Sequence, residues 1–211
     1  YLIYIGRGPA IAILLLIALV LIIRNYLTHK KKLSIQFDHS SLKKSESHTV
    51  QGIIEESADN VAKSMYRTSK TFEGVLQGLE TQDDAHLKKI RKKIEKFEDE
   101  VEALRNHLFY FIKNLDDTSV RGSNFYIMVL ANLTDIVQSL EFLAKKSFKH
   151  VDNNHSKLSE GQMADLKEIQ SNFSDLLLTI EKTFLSKEFG DLGTSIEQGG
   201  LVLDLIKSKI D

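Results

Sequence analysis

From Val50 onward the hydrophobic positions recur in alternating steps of four and three. Ile54, Ala58, Val61, Met65, Thr68, Phe72, Val75 and Leu79 form one series. Leu87, Ile90, Ile94, Phe97, Val101, Leu104, Leu108, Phe111 and Leu115 form a second, interleaved with charges such as Lys88, Lys89, Arg91, Lys92, Glu95 and Glu98. That beat is the period of an amphipathic helix with one apolar seam. "ETQDDAHL" interrupts it and offers Thr81 or Asp83 as an N-cap. So short a connection predicts an antiparallel hairpin. "NLDDTS" marks the next corner, with Asp117 or Thr118 as cap.

The spacing predicts a third helix over about 119–148, with a wider apolar face. Phe125, Val129, Leu133, Ile136, Leu140 and Leu143 form its main stripe, broadened by Tyr126, Met128, Leu130, Val137 and Phe142. Such a helix is expected to lie centrally, with neighbours on two sides. A fourth helix over about 160–186 carries Met163, Leu166, Ile169, Phe173, Leu177, Ile180 and Phe184. Ser159 and Gln162 form an S-x-x-Q capping box before it, with Leu158 and Met163 placed as a hydrophobic staple. A fifth, over about 189–210, shows Phe189, Leu192, Ile196, Leu203, Ile206 and Ile210, with Gly199-Gly200 weakening its middle.

The first quarter of the chain reads differently. "PAIAILLLIALVLII", Pro9 to Ile23, has no polar residue. Pro9 suits the first turn of a helix, and Tyr26 and Leu27 extend the run past Arg24, which can snorkel to an interface. The expectation is a transmembrane segment over 1–27, a basic juxtamembrane linker over 28–49 and a helical bundle over 50–211. Arg24, Lys30, Lys31, Lys32, Lys43 and Lys44 follow the apolar run and only Arg7 precedes it, which places the C-terminal side in the cytoplasm and gives these six a membrane-surface role. "SLKKSESH", Ser41 to His48, reads as a flexible linker. The expected fold is therefore all-α: one N-terminal transmembrane helix followed by a long-helix antiparallel bundle of about five helices.

Charge narrows the function. Residues 1–49 carry seven Lys/Arg against two acids, and the rest carries 21 against 27. A mildly acidic bundle argues against nucleic acid as a partner. There is no cysteine, which excludes disulfides and thiolate metal sites. Catalysis needs polar groups converging in a pocket, and the chain has no Gly-rich phosphate loop, HExxH or nucleophile elbow; no enzyme and no cofactor is expected. "HVDNNH" sets His150, Asp152 and His155 within six positions, weak metal candidates that read mainly as a helix junction.

"FYIMVLANLTDIVQSLEFLAKKSFKHVDNNHSKLSEGQMADLKEIQ", Phe125 to Gln170, resembles the C-terminal cytoplasmic region of bacterial PiT-type inorganic phosphate transporters, where a PhoU-like helical domain follows the last membrane helix. "LRNHLFYFIKNLDDTS" and the final "LDLIKSKI" are similar to the same region. The resemblance implies a regulatory domain of a cation-coupled phosphate permease in the bacterial inner membrane. Phosphate and the coupling cation would be bound in a transport core upstream of Tyr1. It further implies two three-helix units, hence a chain cut at both ends and an apolar groove left along the second half. A homo-oligomer is one of the assemblies this permits. PhoU-like domains carry metals on ExxxD motifs; here Asp135 is kept, Ala131 replaces the Glu, and Arg91, Lys92 and Lys93 stand nearby, which weakens the site. A competing expectation is a membrane-anchored coiled-coil signalling protein of chemoreceptor type, which would need a near-continuous rod instead of corners.

Overall fold

Thr49 starts the first helix, its hydroxyl accepting the Gly52 N–H at 3.2 Å and so satisfying one of the amides that a helix start leaves open. The computed structural model describes residues 41–210, apart from 45, 48 and 114–119. Within them lie α1 (Val50–Thr81), α2 (Asp84–Lys113), α3 (Val120–Asp152), α4 (Glu160–Ser186) and α5 (Leu192–Ser208), with one 3-10 turn at Phe189–Asp191 before α5.

The corners follow local chemistry. Gln82 takes a left-handed backbone with φ of 54°; its N–H meets the Leu79 carbonyl, and the Asp83 N–H reaches the Gly78 carbonyl at 3.0 Å, a Schellman closure of α1. Asp83 then caps α2 by accepting the His86 N–H at 2.8 Å. Of the two caps offered by the sequence, Asp83 is therefore the one used here. Asn154, φ 52°, follows the end of α3, which at Asp152 lies four residues beyond the 148 that the periodicity gave. The Ser159/Gln162 capping box forms in full at the start of α4.

α1 packs against α2, α3 and α4, while α3 packs on α1 and α2, and α5 packs on α4. α3 thus has the neighbours on two sides that its wide apolar face predicts, and α1 has a third besides, α4. The reason lies on a second face of α1, where Ser57, Asn60, Lys63, Ser64, Thr71, Gly74 and Gly78 are buried although none is apolar enough to mark a seam. Gly74 and Gly78 let α2 come close: a Cβ at Gly78 would lie 2.6 Å from Leu87, and one at Gly74 would lie 2.5 Å from Ile90. The main core gathers Val75, Leu79, Leu87, Ile94, Phe97, Leu133 and Val137 between α1, α2 and α3. α4 joins by Phe72 and Phe173, edge to face at 5.6 Å, and by the Ser69 hydroxyl donating to Ser174 at 3.1 Å.

The expected order of one N-terminal membrane helix and then a bundle is also corrected. Among the described residues, the helix long and apolar enough to cross a membrane is the third, over Ser123–Asp152. Ser123 to Leu140 contains a single charged residue, Asp135, but its apolar positions are interspersed with Asn, Thr, Gln and Ser, so no apolar run of membrane-crossing length announces it. One face of this helix is buried through Tyr126, Leu130, Leu133 and Val137, while Met128 and Phe142 stay more than half exposed. The segment 1–27 lies outside the described residues.

The close α1–α2 crossing sets a test. Gly78→Val is expected to cost about 2 kcal/mol through overpacking against Leu87 and to lower Tm by roughly 4–8 °C, read by thermal unfolding. Gly161→Val, where a Cβ meets nothing within 4 Å, is expected to leave that crossing and most of the Tm intact.

Candidate functional site

The buried polar face of α1 is a seat for the chain that leads into the bundle. Asn60 is 2% exposed; its Oδ1 accepts the Lys43 N–H at 3.0 Å and its Nδ2 donates to the Lys43 carbonyl at 2.8 Å. One side-chain amide thus completes both backbone groups of Lys43, as a neighbouring strand would. The Lys63 ammonium, one turn on, donates to the Ser41 carbonyl at 2.9 Å. From α2, Glu100 Oε2 accepts the Leu42 N–H at 2.9 Å and the Arg67 guanidinium at 2.6 Å. At the far end Glu56 Oε2 accepts the N–H groups of Glu46 and Ser47 at 3.0 and 3.2 Å.

Residues 41–47 therefore run along the bundle with five backbone positions held by side chains. The sequence suggested a flexible linker; the difference lies in partners 9 to 58 positions away, which local composition does not reveal. Arg67 is fixed twice, by Glu100 and by the Phe97 ring, whose centroid is 4.0 Å from its Cζ. Both members of this ion pair are only about one-seventh exposed, so water screens them little and charge-assisted bonds count for more than on the surface. Lys43 and Lys44 are exposed, while Arg24, Lys30, Lys31 and Lys32 lie outside the described residues.

The weak metal candidates fall in two places. Asp135 is exposed on α3 at the edge of an apolar groove, and the corner His150–His155 lies about 15 residues along, or about 22 Å of helix rise. At the corner the two imidazoles stack, 5.3 Å between centroids, and His150 Nε2 meets the Ser156 carbonyl at 3.0 Å. The His155 N–H closes the turn on the His150 carbonyl at 3.1 Å. Among the described residues no cluster of three or more His, Cys, Asp or Glu could hold a metal ion.

The groove has a volume of about 510 Å³. α3 and α4 both lie on α1, and the gap between them is floored by Met65, Thr68 and Phe72 and walled by Ile136, Leu140, Leu176 and Ile180. The Thr68 hydroxyl is buried there without a hydrogen-bond partner among the described residues. A groove was expected along the second half of the bundle; this one lies where α4 begins that half.

No family model, curated protein or solved structure matches the chain. What stands on structure alone is, among the described residues, an all-α bundle with one helix of membrane-crossing length and hydropathy.

Glu100 gives the test of the seat. Glu100→Gln leaves the largely buried Arg67 charge without its counter-ion and weakens the grip on Leu42, with an expected cost of about 2–3 kcal/mol in chemical denaturation. Glu73→Gln, which removes an exposed partner of Lys70, is expected to cost no more than about 0.5 kcal/mol.

Proposed function

We propose that the bundle is the cytoplasmic regulatory part of a cation-coupled inorganic phosphate transporter of the bacterial inner membrane, and a regulator with no catalytic role of its own. The resemblance of Phe125–Gln170 to PiT-type transporters supplies the class. The observation that carries the mechanism is the seat on α1, where Asn60, Lys63 and Glu100 hold the backbone of residues 41–43. A free tether transmits no change of state, whereas a segment held by directional bonds moves with the helix that holds it. Phosphate and the coupling cation belong, in this reading, to a transport core outside the chain, and the six basic residues from Arg24 to Lys44 serve the membrane surface.

The rival reading, a chemoreceptor-like rod, fits less well. Rods need helices that continue, and here α1 turns back on α2 at Gln82, and α3 turns at Asn154 into α4.

The test is phosphate uptake by cells expressing the whole transporter. The double variant Asn60→Ala/Lys63→Ala, at equal membrane abundance, is expected to shift the dependence of uptake on external phosphate by about fivefold or more, the lower range of allosteric coupling. An unchanged uptake curve for a folded double variant would contradict the proposal.

A further inference from the structure

The α4–α5 hairpin rests lightly on the rest of the bundle. α1 buries 15 of its 32 residues. α4 buries three of 27, Leu176, Leu177 and Glu181, and α5 buries only Ser195 and Val202. Among the described residues, the main core takes its buried members from α1, α2 and α3; Met163 and Leu166 of α4 lean on it only partly buried. α4 packs on α1 and α5, and α5 packs on α4, so α1 is the main support of the whole hairpin. Toward α3 lies the groove.

What fastens α4 to α1 is shallow. Phe72 with Phe173 and Ser69 with Ser174 hold the middle of the contact. Near the start of α4 Lys167 pairs with Glu80, and just past its end Lys187 lies 3.7 and 3.9 Å from Glu55 and Asp59. The side chains of these pairs are 38–52% exposed, so water and salt screen them and each contributes little. Thr68 opposes the closed state outright. Ser57 and Ser64 give their buried hydroxyls to the carbonyl four residues back, whereas the Thr68 hydroxyl, on a residue 3% exposed, has no partner. Burying an unpaired hydroxyl is unfavourable, and opening returns it to water.

The chain supplies a pivot. Seven residues, 153–159, separate α3 from α4. The bonds of this corner tie its first part back onto α3: the His155 N–H meets the His150 carbonyl and His150 Nε2 meets the Ser156 carbonyl. The capping box binds Ser159 to α4. Lys157 and Leu158 stand between these two pieces with no hydrogen bond among the described residues. A hinge needs only a few such residues to absorb a change of backbone angle.

We propose that α4 and α5 form a hinged flap, opening as one piece about Lys157 and Leu158 while α1, α2 and α3 stay folded, and uncovering Met65, Thr68 and Phe72 on α1. The flap is independent of the phosphate-transport reading and stands if that reading fails.

Amide hydrogen exchange in the purified full chain tests it. The amides of Leu176–Ile180, in the middle of α4, are expected to be at least about tenfold less protected than those around Phe97 in α2, because they exchange through the flap's own opening and not through global unfolding. Lys167→Glu sets like charges at Glu80 and is expected to speed α4 exchange about threefold or more, with the amides around Phe97 unchanged; glutamate forms helix about as well as lysine, so the change reports docking. Because the chain has no cysteine, Ser69→Cys/Ser174→Cys, at hydroxyls 3.1 Å apart, allows one specific disulfide across the contact. Its oxidation is expected to bring α4 protection up to the α2 level, and its reduction to undo this. Equal protection of α4 and α2 in the wild-type chain, or an α4 exchange rate that Lys167→Glu leaves unchanged, overturns the proposal.

Discussion

The carboxamide of Asn60 bonded to both backbone groups of Lys43 is the constraint around which the described bundle is arranged. Burying an amide inside a helical bundle is unfavourable unless its donors and acceptors are met. Here they are met only by chain that comes from outside the helices. The same logic repeats at Lys63 with Ser41 and at Glu100 with Leu42 and Arg67. As these polar groups are buried on α1 and α2, the face that carries them has to be covered, and residues 41–47 are what covers it. The central position of α1 follows: one face takes the apolar core, the next takes the polar seat and the close approach of α2 at Gly74 and Gly78.

This arrangement separates two kinds of surface on one molecule. The seat is polar, directional and intolerant of slippage, which suits a device for transmitting position. The groove over Met65 and Thr68 is apolar and non-directional, which suits a contact that opens and closes. A regulator needs both, a rigid link to what it regulates and a part that moves, and here they sit on different sides of α1. The third helix has a double character with a physical origin: Ser123–Leu140 has the hydropathy of a membrane span, yet its buried face brings Val129, Leu133, Val137 and Leu140 to the α1–α2–α3 core.

Much of the described fold was legible in the sequence because it rests on local periodicity. The three-four beats of α1 and α2 gave both helices and their hairpin, and Ser159 and Gln162 fixed the start of α4 to the residue. The centre of the bundle was not legible, because the second face of α1 is built from Ser57, Asn60, Ser64, Thr71 and Gly78, which no hydrophobic scale selects. A signal was present all the same: Ser57, Asn60, Ser64, Thr71, Gly74 and Gly78 recur at helical spacing as small polar residues or glycines, with Lys63 and Arg67 the charges between them on that face. For α5 the seam was read as apolar, but which of its residues would be covered was not legible, since periodicity reports which residues share a face and not whether a neighbour exists to cover it. The membrane-length helix was sought in the unbroken run at 9–23, and the wide apolar face of α3 was read as the mark of a core helix. Of the candidate site residues, His150 and His155 do meet across their corner, while Asp135 stands apart from them; the seat residues Asn60, Lys63 and Glu100 were not singled out, because their partners are backbone atoms and leave no side-chain motif.

Hydrogen exchange of single backbone amides tests the seat most directly. The amide protons of Leu42 and Lys43 precede the first helix and have only the Glu100 and Asn60 side chains as acceptors. If α1 is the hub described, both exchange as slowly as the amides in the middle of α1, with protection of about a thousandfold or more over an open peptide, and Asn60→Ala removes the protection of Lys43. Exchange at open-peptide rates at both amides in the wild-type chain would contradict the account.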